Sequence, residues 1–452
     1  MEGTREVMCA RHPQTPSRLR CVECETPICP DCAIRTPVGF KCPDHAWKAP
    51  PHRRSRAATG LVVVVVLGLI AFAQFARRTS VTHTAAPRCP TEPAPDVGIG
   101  SAAQGTRWSE MATSGLCGRY DAAVTWTGKD MLVWGGVSCA GADCPSDRAP
   151  RLGDGAAYNV ATNRWRSLVT SPLTAREPTA VAWTGKEMLV WGGSDRDGPR
   201  ADGAAYDPAR NSWRRLAGTS LTPRTGSASV WTGREMLVWG GSDHADGAAY
   251  DPATDRWRPM APGPLGGRTV VAVVWTGREM VVWGGVSPAT GKESADGAAY
   301  DPAADTWRTL PDGPLTSRQN PAAVWTGREL LVWGGNSLAG ATVFGDGAAY
   351  DPAADTWRQL PAAPVTARTG PAAVWSGTEM LTWGGLGRDI TPLEDGAAYD
   401  PTSDSWRVIE PVPLLGRGFP LTVWDGKGMI VWGGLVAVTT PASASDGVRY
   451  VP

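Results

Sequence analysis

Residues 190–213 read VWGGSDRDGPRADGAAYDPARNSW, and residues 332–357 read VWGGNSLAGATVFGDGAAYDPAADTW. The ends agree almost letter for letter, and the residues between GG and DG share nothing. WGG recurs at Trp134, Trp191, Trp239, Trp283, Trp333, Trp383 and Trp432, at steps of 57, 48, 44, 50, 50 and 49 residues, the period of a repeat that supplies one small sheet at a time. Within each repeat the markers keep their order: Arg before an apolar run ending in Trp, then WGG, then Asp-Gly before a Tyr, then another Trp. Short apolar runs punctuated by TG, GG, DG and DP predict four antiparallel strands per repeat, lettered A to D along the chain.

Measured between markers, the repeat is rigid everywhere but once. Strand-A Trp to WGG Trp is eight residues in all seven repeats, strand-C Tyr to strand-D Trp is seven, and strand-D Trp to the next Arg is eleven. Only the segment between GG and DG varies, at 17, 8, 4, 10, 10, 9 and 11 residues. Because strands alternate in direction, the B–C and D–A connections share one side and the A–B and C–D turns the other. One face therefore carries seven dissimilar loops, where binding concentrates on a fixed scaffold.

The paired glycines, AAYDP and the tryptophan seven residues after its tyrosine resemble Kelch repeats over about 345 residues. The resemblance implies an all-β fold, a seven-bladed β-propeller over 106–452. TRWSEM (106–111) matches the strand-D segment DRWRPM (255–260), while the last repeat stops after its third strand at DGVRYVP (446–452). The N-terminal strand is thus expected to close the final blade, 107–111 pairing with 446–451. Of 22 tryptophans only Trp47 lies outside the repeats, and three per blade fits inter-blade core better than a sugar-stacking surface.

Arg119, Arg176, Arg224, Arg268, Arg318, Arg368 and Arg417 each precede their strand-A Trp by seven residues. In a Kelch blade strand A is innermost, so the resemblance places them at the channel mouth as candidate ligand-binding forks for carboxylates. The alternative is structural: Asp154, Asp202, Asp246, Asp296, Asp346, Asp395 and Asp446 open strand C at the same level and would neutralise them.

The net charge is zero, with 44 basic and 44 acidic residues, which argues against general attraction to nucleic acid. Residues 57–76, AATGLVVVVVLGLIAFAQFA, carry no charge and are flanked by Arg56 and Arg77. As a helix they would rise about 30 Å, a bilayer's hydrocarbon thickness. With 56 polar residues ahead of it, the segment reads as a transmembrane signal-anchor helix, not a cleaved leader. Lys48, Arg53, Arg54 and Arg56 before it, against Arg77, Arg78 and Arg88 after it, favour a cytoplasmic N-terminus and an exported propeller at the cell membrane. Pro/Ala-rich residues 77–105 would form a stalk.

The ten cysteines split around that segment. Four couples at one spacing, Cys9/His12, Cys21/Cys24, Cys29/Cys32 and Cys42/His45, are pairs of soft ligands for tetrahedral zinc. Disulfide pairing leaves the two histidines unexplained. CARH, CVEC, CPDC and CPDH resemble the B-box type of zinc-binding domain over 5–48, although eukaryotic B-boxes use further His where this chain has Cys. The resemblance implies two structural zinc ions, cross-braced: Cys9, His12, Cys29 and Cys32 on one, Cys21, Cys24, Cys42 and His45 on the other. It also implies a protein partner. Beyond the membrane segment, Cys139 and Cys144 in the longest loop are expected to form a disulfide, and by elimination Cys89 and Cys117 another.

The reading is a single-pass membrane binding or scaffold protein, its propeller taking an unknown protein or glycan on the B–C loop face and its zinc module a protein partner inside. Copper chemistry wants imidazoles, and the repeats contain only His244. No nucleophile–base pair stands out. The alternative is a propeller enzyme acting on sugars in the central channel, of epimerase or lyase type.

Overall fold

The computed structural model describes residues 107–139, 149–337, 342–412, 414–436 and 442–452, together with the backbone of four short strands nearer the N-terminus. The chain divides into two units, Met1–His83 and Thr84–Pro452. In the first, Leu19–Arg20 pairs antiparallel with Pro27–Ile28, and Ile34–Thr36 with Gly39–Lys41. The eight expected zinc ligands, residues 57–76, Cys89 and Cys144 lie outside the described residues. Among the described residues no helix is long and apolar enough to cross a membrane.

Seven four-stranded antiparallel sheets make up the second unit. In blade two, strand A is Ala180–Trp183, B is Met188–Trp191, C is Gly203–Asp207 and D is Ser212–Arg215, paired in that order. Burial follows each strand's sequence. Strand B is a continuous apolar run, MLVW, buried at every position, as a strand covered on both sheet faces must be. Strand A alternates, with Ala180 and Ala182 buried and Val181 and Trp183 half-buried, the period-two pattern of a strand with one open face. That face lines a central cavity of about 560 Å³. Inner strands of successive blades touch right round the ring, including Leu421–Trp424 of blade seven against Ala123–Trp126 of blade one.

The GG pair sets the turn out of strand B. Gly192 and Gly193 have φ of 68° and 91°, and a Cβ on Gly193 would stand 2.0 Å from the Glu177 carbonyl oxygen. Only glycine combines that backbone with that approach.

Tryptophans lock the blades in sequence. Each WGG tryptophan, at most 1 % exposed, meets the strand-D tryptophan of the next blade. Trp134–Trp213, Trp191–Trp257, Trp239–Trp307, Trp283–Trp357 and Trp333–Trp406 have ring centroids 5.5–5.8 Å apart. Trp383–Trp108 (6.3 Å) and Trp432–Trp165 (5.4 Å) complete the circle. The structure thus puts these tryptophans in the inter-blade core.

Trp108 takes part because residues Trp108–Glu110 form the fourth strand of blade seven. Trp108 faces Tyr450, Ser109 faces Arg449 and Glu110 faces Val448. Met111 N–H donates to Gly447 O, and Val451 N–H to Arg107 O. The expected pairing is present over three residue pairs with one hydrogen bond beyond each end.

A second inter-blade belt was not anticipated. Arg214 donates to both oxygens of Glu187 in its own blade, at 3.0 and 2.7 Å, and to Tyr250 Oη of the next at 3.0 Å. Tyr250 in turn donates to Asp255. Arg258, Arg308, Arg358 and Arg407 repeat the arrangement with Glu235, Glu279, Glu329 and Glu379. In blade seven the equivalent residue is Ser109, so the junction with blade one is built differently.

Candidate functional site

The loop face starts from the seven arginines. All are buried; six are 0 % exposed and Arg268 is 6 %. Each reaches the Asp that opens strand C of its own blade: Arg119–Asp154, Arg176–Asp202, Arg224–Asp246, Arg268–Asp296, Arg318–Asp346, Arg368–Asp395 and Arg417–Asp446, at 2.7–3.0 Å. Each Nε also donates to the carbonyl two residues earlier, and each Nη1 to the first glycine of GG, as Arg318 does to Thr316 O at 3.0 Å and Gly334 O at 3.1 Å. One guanidinium therefore ties the D–A connection, the GG turn and the start of strand C. Burial pulls the Arg417 and Arg119 pKa values down, and the paired aspartates oppose it. The Arg268 hydrogen bond holds Asp296 below the usual carboxylate range. Of the two readings of the ring, this geometry is that of Arg–Asp pairs: the guanidiniums meet the scaffold, and the half-exposed aspartates face outward.

Above this base the variable loops are tied to one another. Ser443 and Cys139 join the loops of blades seven and one, Cys139 N–H donating to Ser443 Oγ at 2.9 Å and Ser443 N–H to Cys139 O at 3.1 Å. Asp243 accepts from Ala289 N–H at 2.8 Å, linking blades three and four, and Ser337 donates to Glu293 across blades five and four. Thr369 donates to Asn336 at 2.7 Å between blades six and five. In blade two, Ser194–Asp195 and Gly198–Pro199 form a two-stranded tip, held by Arg200 on Asp195 and by Thr174 donating to the same carboxylate at 2.8 Å. Cys117 and Cys139 are both in disulfides. Most of the blade-one loop, including Asp143, Asp147 and Arg148, lies outside the described residues.

One titratable cluster breaks the sevenfold pattern. The second residue after the ring Arg is Pro178, Gly226, Val270, Asn320, Gly370 or Phe419 in six blades, and Asp121 in blade one. In blades four to seven these residues join across the mouth: Asn320 N–H donates to Val270 O, Gly370 N–H to Asn320 O and Phe419 N–H to Gly370 O. Asp121 stays open to water but is walled in by protein. Loss of bulk solvent, then the charge of Glu177, push its carboxyl up to about 7. Burial raises Glu177 as well, against the pull of Arg151. The same two carboxylates add to burial in pushing Tyr120 up to about 12. Its folded-state pKa lies above that of the unfolded chain, so Asp121 disfavours folding as the pH rises from about 4 to 7, by an amount that its exposure to solvent keeps small. Asp121→Asn should therefore raise the melting temperature at pH 8 and leave it unchanged at pH 4. An equal shift at both pH values would show that ionisation is not the cause.

The family model described as the KLHDC2/KLHL20/DRC7 Kelch-repeats domain matches residues 102–265 and 260–434. The chain belongs to the Kelch-repeat family. A B-box zinc finger model matches residues 4–37. No curated protein matches the chain. The B-box match implies zinc binding, and the thiolate and imidazole donors fit a tetrahedral zinc. Six of the eight expected ligands fall inside the match, whereas Cys42 and His45 fall beyond it. Among the described residues no group of three or more His, Cys, Asp or Glu is placed to hold a metal. A Kelch propeller on one chain with a B-box suggests a protein-binding scaffold.

Proposed function

We propose that the protein is a single-pass membrane scaffold, its Kelch propeller exported and binding a protein or peptide on the loop face, its B-box module contacting a protein partner in the cytosol. The supporting observation for the binding face is the cross-linking of dissimilar B–C loops, blade to blade, over a base of buried Arg–Asp pairs. A pre-organised surface loses little loop entropy on binding, and its variation in length gives each sector its own shape. The charge-free run at 57–76, the basic residues before it and the cysteine distribution support the orientation. Two zinc ions at the eight Cys and His ligands named above would hold a module too small for a core of its own.

Replacing residues 145–148 of the full-length protein by a short Gly/Ser bridge, which keeps the expected Cys139–Cys144 disulfide, is the direct test. Binding to a peptide and glycan screen should fall at least tenfold while the propeller's melting temperature holds, since surface-loop length costs little. Unchanged binding would remove the blade-one loop from the site, and hits lost instead on changing the Thr-Gly-Lys/Arg turns would move the site to the other face. A second reading has one observation behind it: Asp121, pushed up to about 7 beside Glu177, has the proton affinity of a general acid at neutral pH. It calls for a sugar-acting enzyme in the channel mouth. Turnover in a sugar-substrate screen that Asp121→Asn abolishes would establish it.

A further inference from the structure

Six of the seven A–B turns carry a cation at their third residue: Lys129, Lys186, Arg234, Arg278, Arg328 and Lys427. They are not equivalent. Arg234, Arg278 and Arg328 reach Asp251, Asp301 and Asp351 of their own blades at 3.6, 3.2 and 3.2 Å. Lys427, Lys129 and Lys186 sit on consecutive blades, seven, one and two, are exposed, and have no ion pair among the described residues. The residue after the strand-C tyrosine explains the difference. It is Val451 in blade seven and Asn159 in blade one, while in blade two Asp207 is already held by Arg210 at 2.6 Å. The other acids of these turns are also paired, Asp425 with Arg449, Asp130 with Arg166 and Glu187 with Arg214. Uncompensated positive charge therefore gathers on one sector. Inside the three lysines stand Trp424, Trp126 and Trp183, half-buried at the ends of their inner strands.

The chain enters the propeller in this sector. Arg107, exposed and itself basic, precedes the closing strand at the place where other blades have their C–D turn, on the same sheet edges as the A–B turns. Only 30 residues, 77–106, separate it from the apolar segment, a reach of at most about 100 Å when extended. Tryptophans suit a headgroup layer, and lysines are drawn to any leaflet that carries anionic lipid, an attraction that fades within a Debye length. The chain's point of entry and this chemistry fall on the same surface. We infer that the turn face of blades seven, one and two, with Lys427, Lys129 and Lys186 outside Trp424, Trp126 and Trp183, lies against an anionic bilayer surface. The inference rests on the membrane-anchored reading above. It turns the variable loops away from the membrane, toward whatever they bind.

The lysines supply their own test. Among propeller residues the chain has only four, Lys129, Lys186 and Lys427 on the turn face and Lys292 in the blade-four B–C loop. Full-length protein is reconstituted into vesicles of phosphatidylcholine alone or with phosphatidylserine, washed with alkaline carbonate, and labelled with a membrane-impermeant acylating reagent. The three turn-face lysines should react several-fold more slowly on the phosphatidylserine vesicles, with Lys292 unchanged. Retained protein with equal reactivity in both vesicles overturns the docking and leaves the anchor standing. Slowing of all four lysines alike overturns it too. Loss of the chain in the wash overturns the anchor, and this inference with it.

Discussion

Asp346→Ala should cost about 1–3 kcal/mol of stability, the range for leaving a buried donor without its partner, because Arg318 is buried while Asp346 itself is half-exposed. Its partner Arg318 is 0 % exposed and meets Asp346 through two hydrogen bonds, of 2.8 and 3.2 Å. With the carboxylate gone, the guanidinium keeps only its carbonyl acceptors and whatever water enters from the exposed side. Arg318→Met preserves much of the volume but leaves the Gly334 and Thr316 carbonyls without their donor, at about 1–3 kcal/mol for each buried group left unsatisfied. Urea unfolding of both variants, read against ligand binding, separates scaffold from site. Intact stability with lost binding would restore the ring as a ligand site.

The second large effect concerns the closing strand. Trp108→Ala is expected to destabilise by about 3–5 kcal/mol, as large aromatic truncations in cores do. Trp108 is 4 % exposed, lies 4.7 Å from Tyr450 and 6.3 Å from Trp383 between ring centroids, and donates its indole N–H to Glu410 O at 2.9 Å. Deleting 107–111 should go further, because it also strips the outer edge of the strand Gly447–Tyr450. Thermal melting and limited proteolysis of blade seven are the measurements. An unchanged melting temperature in either variant would mean that the ring holds without its N-terminal strand.

Much of this was readable from recurrence. A residue that returns at a fixed spacing seven times must occupy one place in a repeated sheet, so the blade number, the WGG turn and the strand completing the last blade follow from counting. The Arg–Asp pairing followed as one of two alternatives. Spacing cannot say whether a guanidinium lies under or over its carboxylate, because that depends on the GG carbonyl that each Nη1 meets. The Glu187–Arg214–Tyr250 belt also left a recurring signal, a Glu closing the A–B turn in five blades and an Arg after the strand-D tryptophan in six, but spacing alone does not show that the two meet across strands. Asp121 is the reverse case. Its signal is the breaking of a pattern at one blade, and a search tuned to recurrence discards it.

The closing strand has a consequence in time. Trp108–Glu110 is made first, and its pairing partner Gly447–Tyr450 comes roughly 340 residues later, tens of seconds at ordinary synthesis rates. Throughout that interval six blades can pair within themselves, while the first strand keeps a tryptophan and a strand edge exposed. A chain cut short before Gly447 lacks the pairing that completes blade seven. Completion of the ring thus reports that the last blade has been made, and a chain cut short before it carries its own exposed mark for quality control.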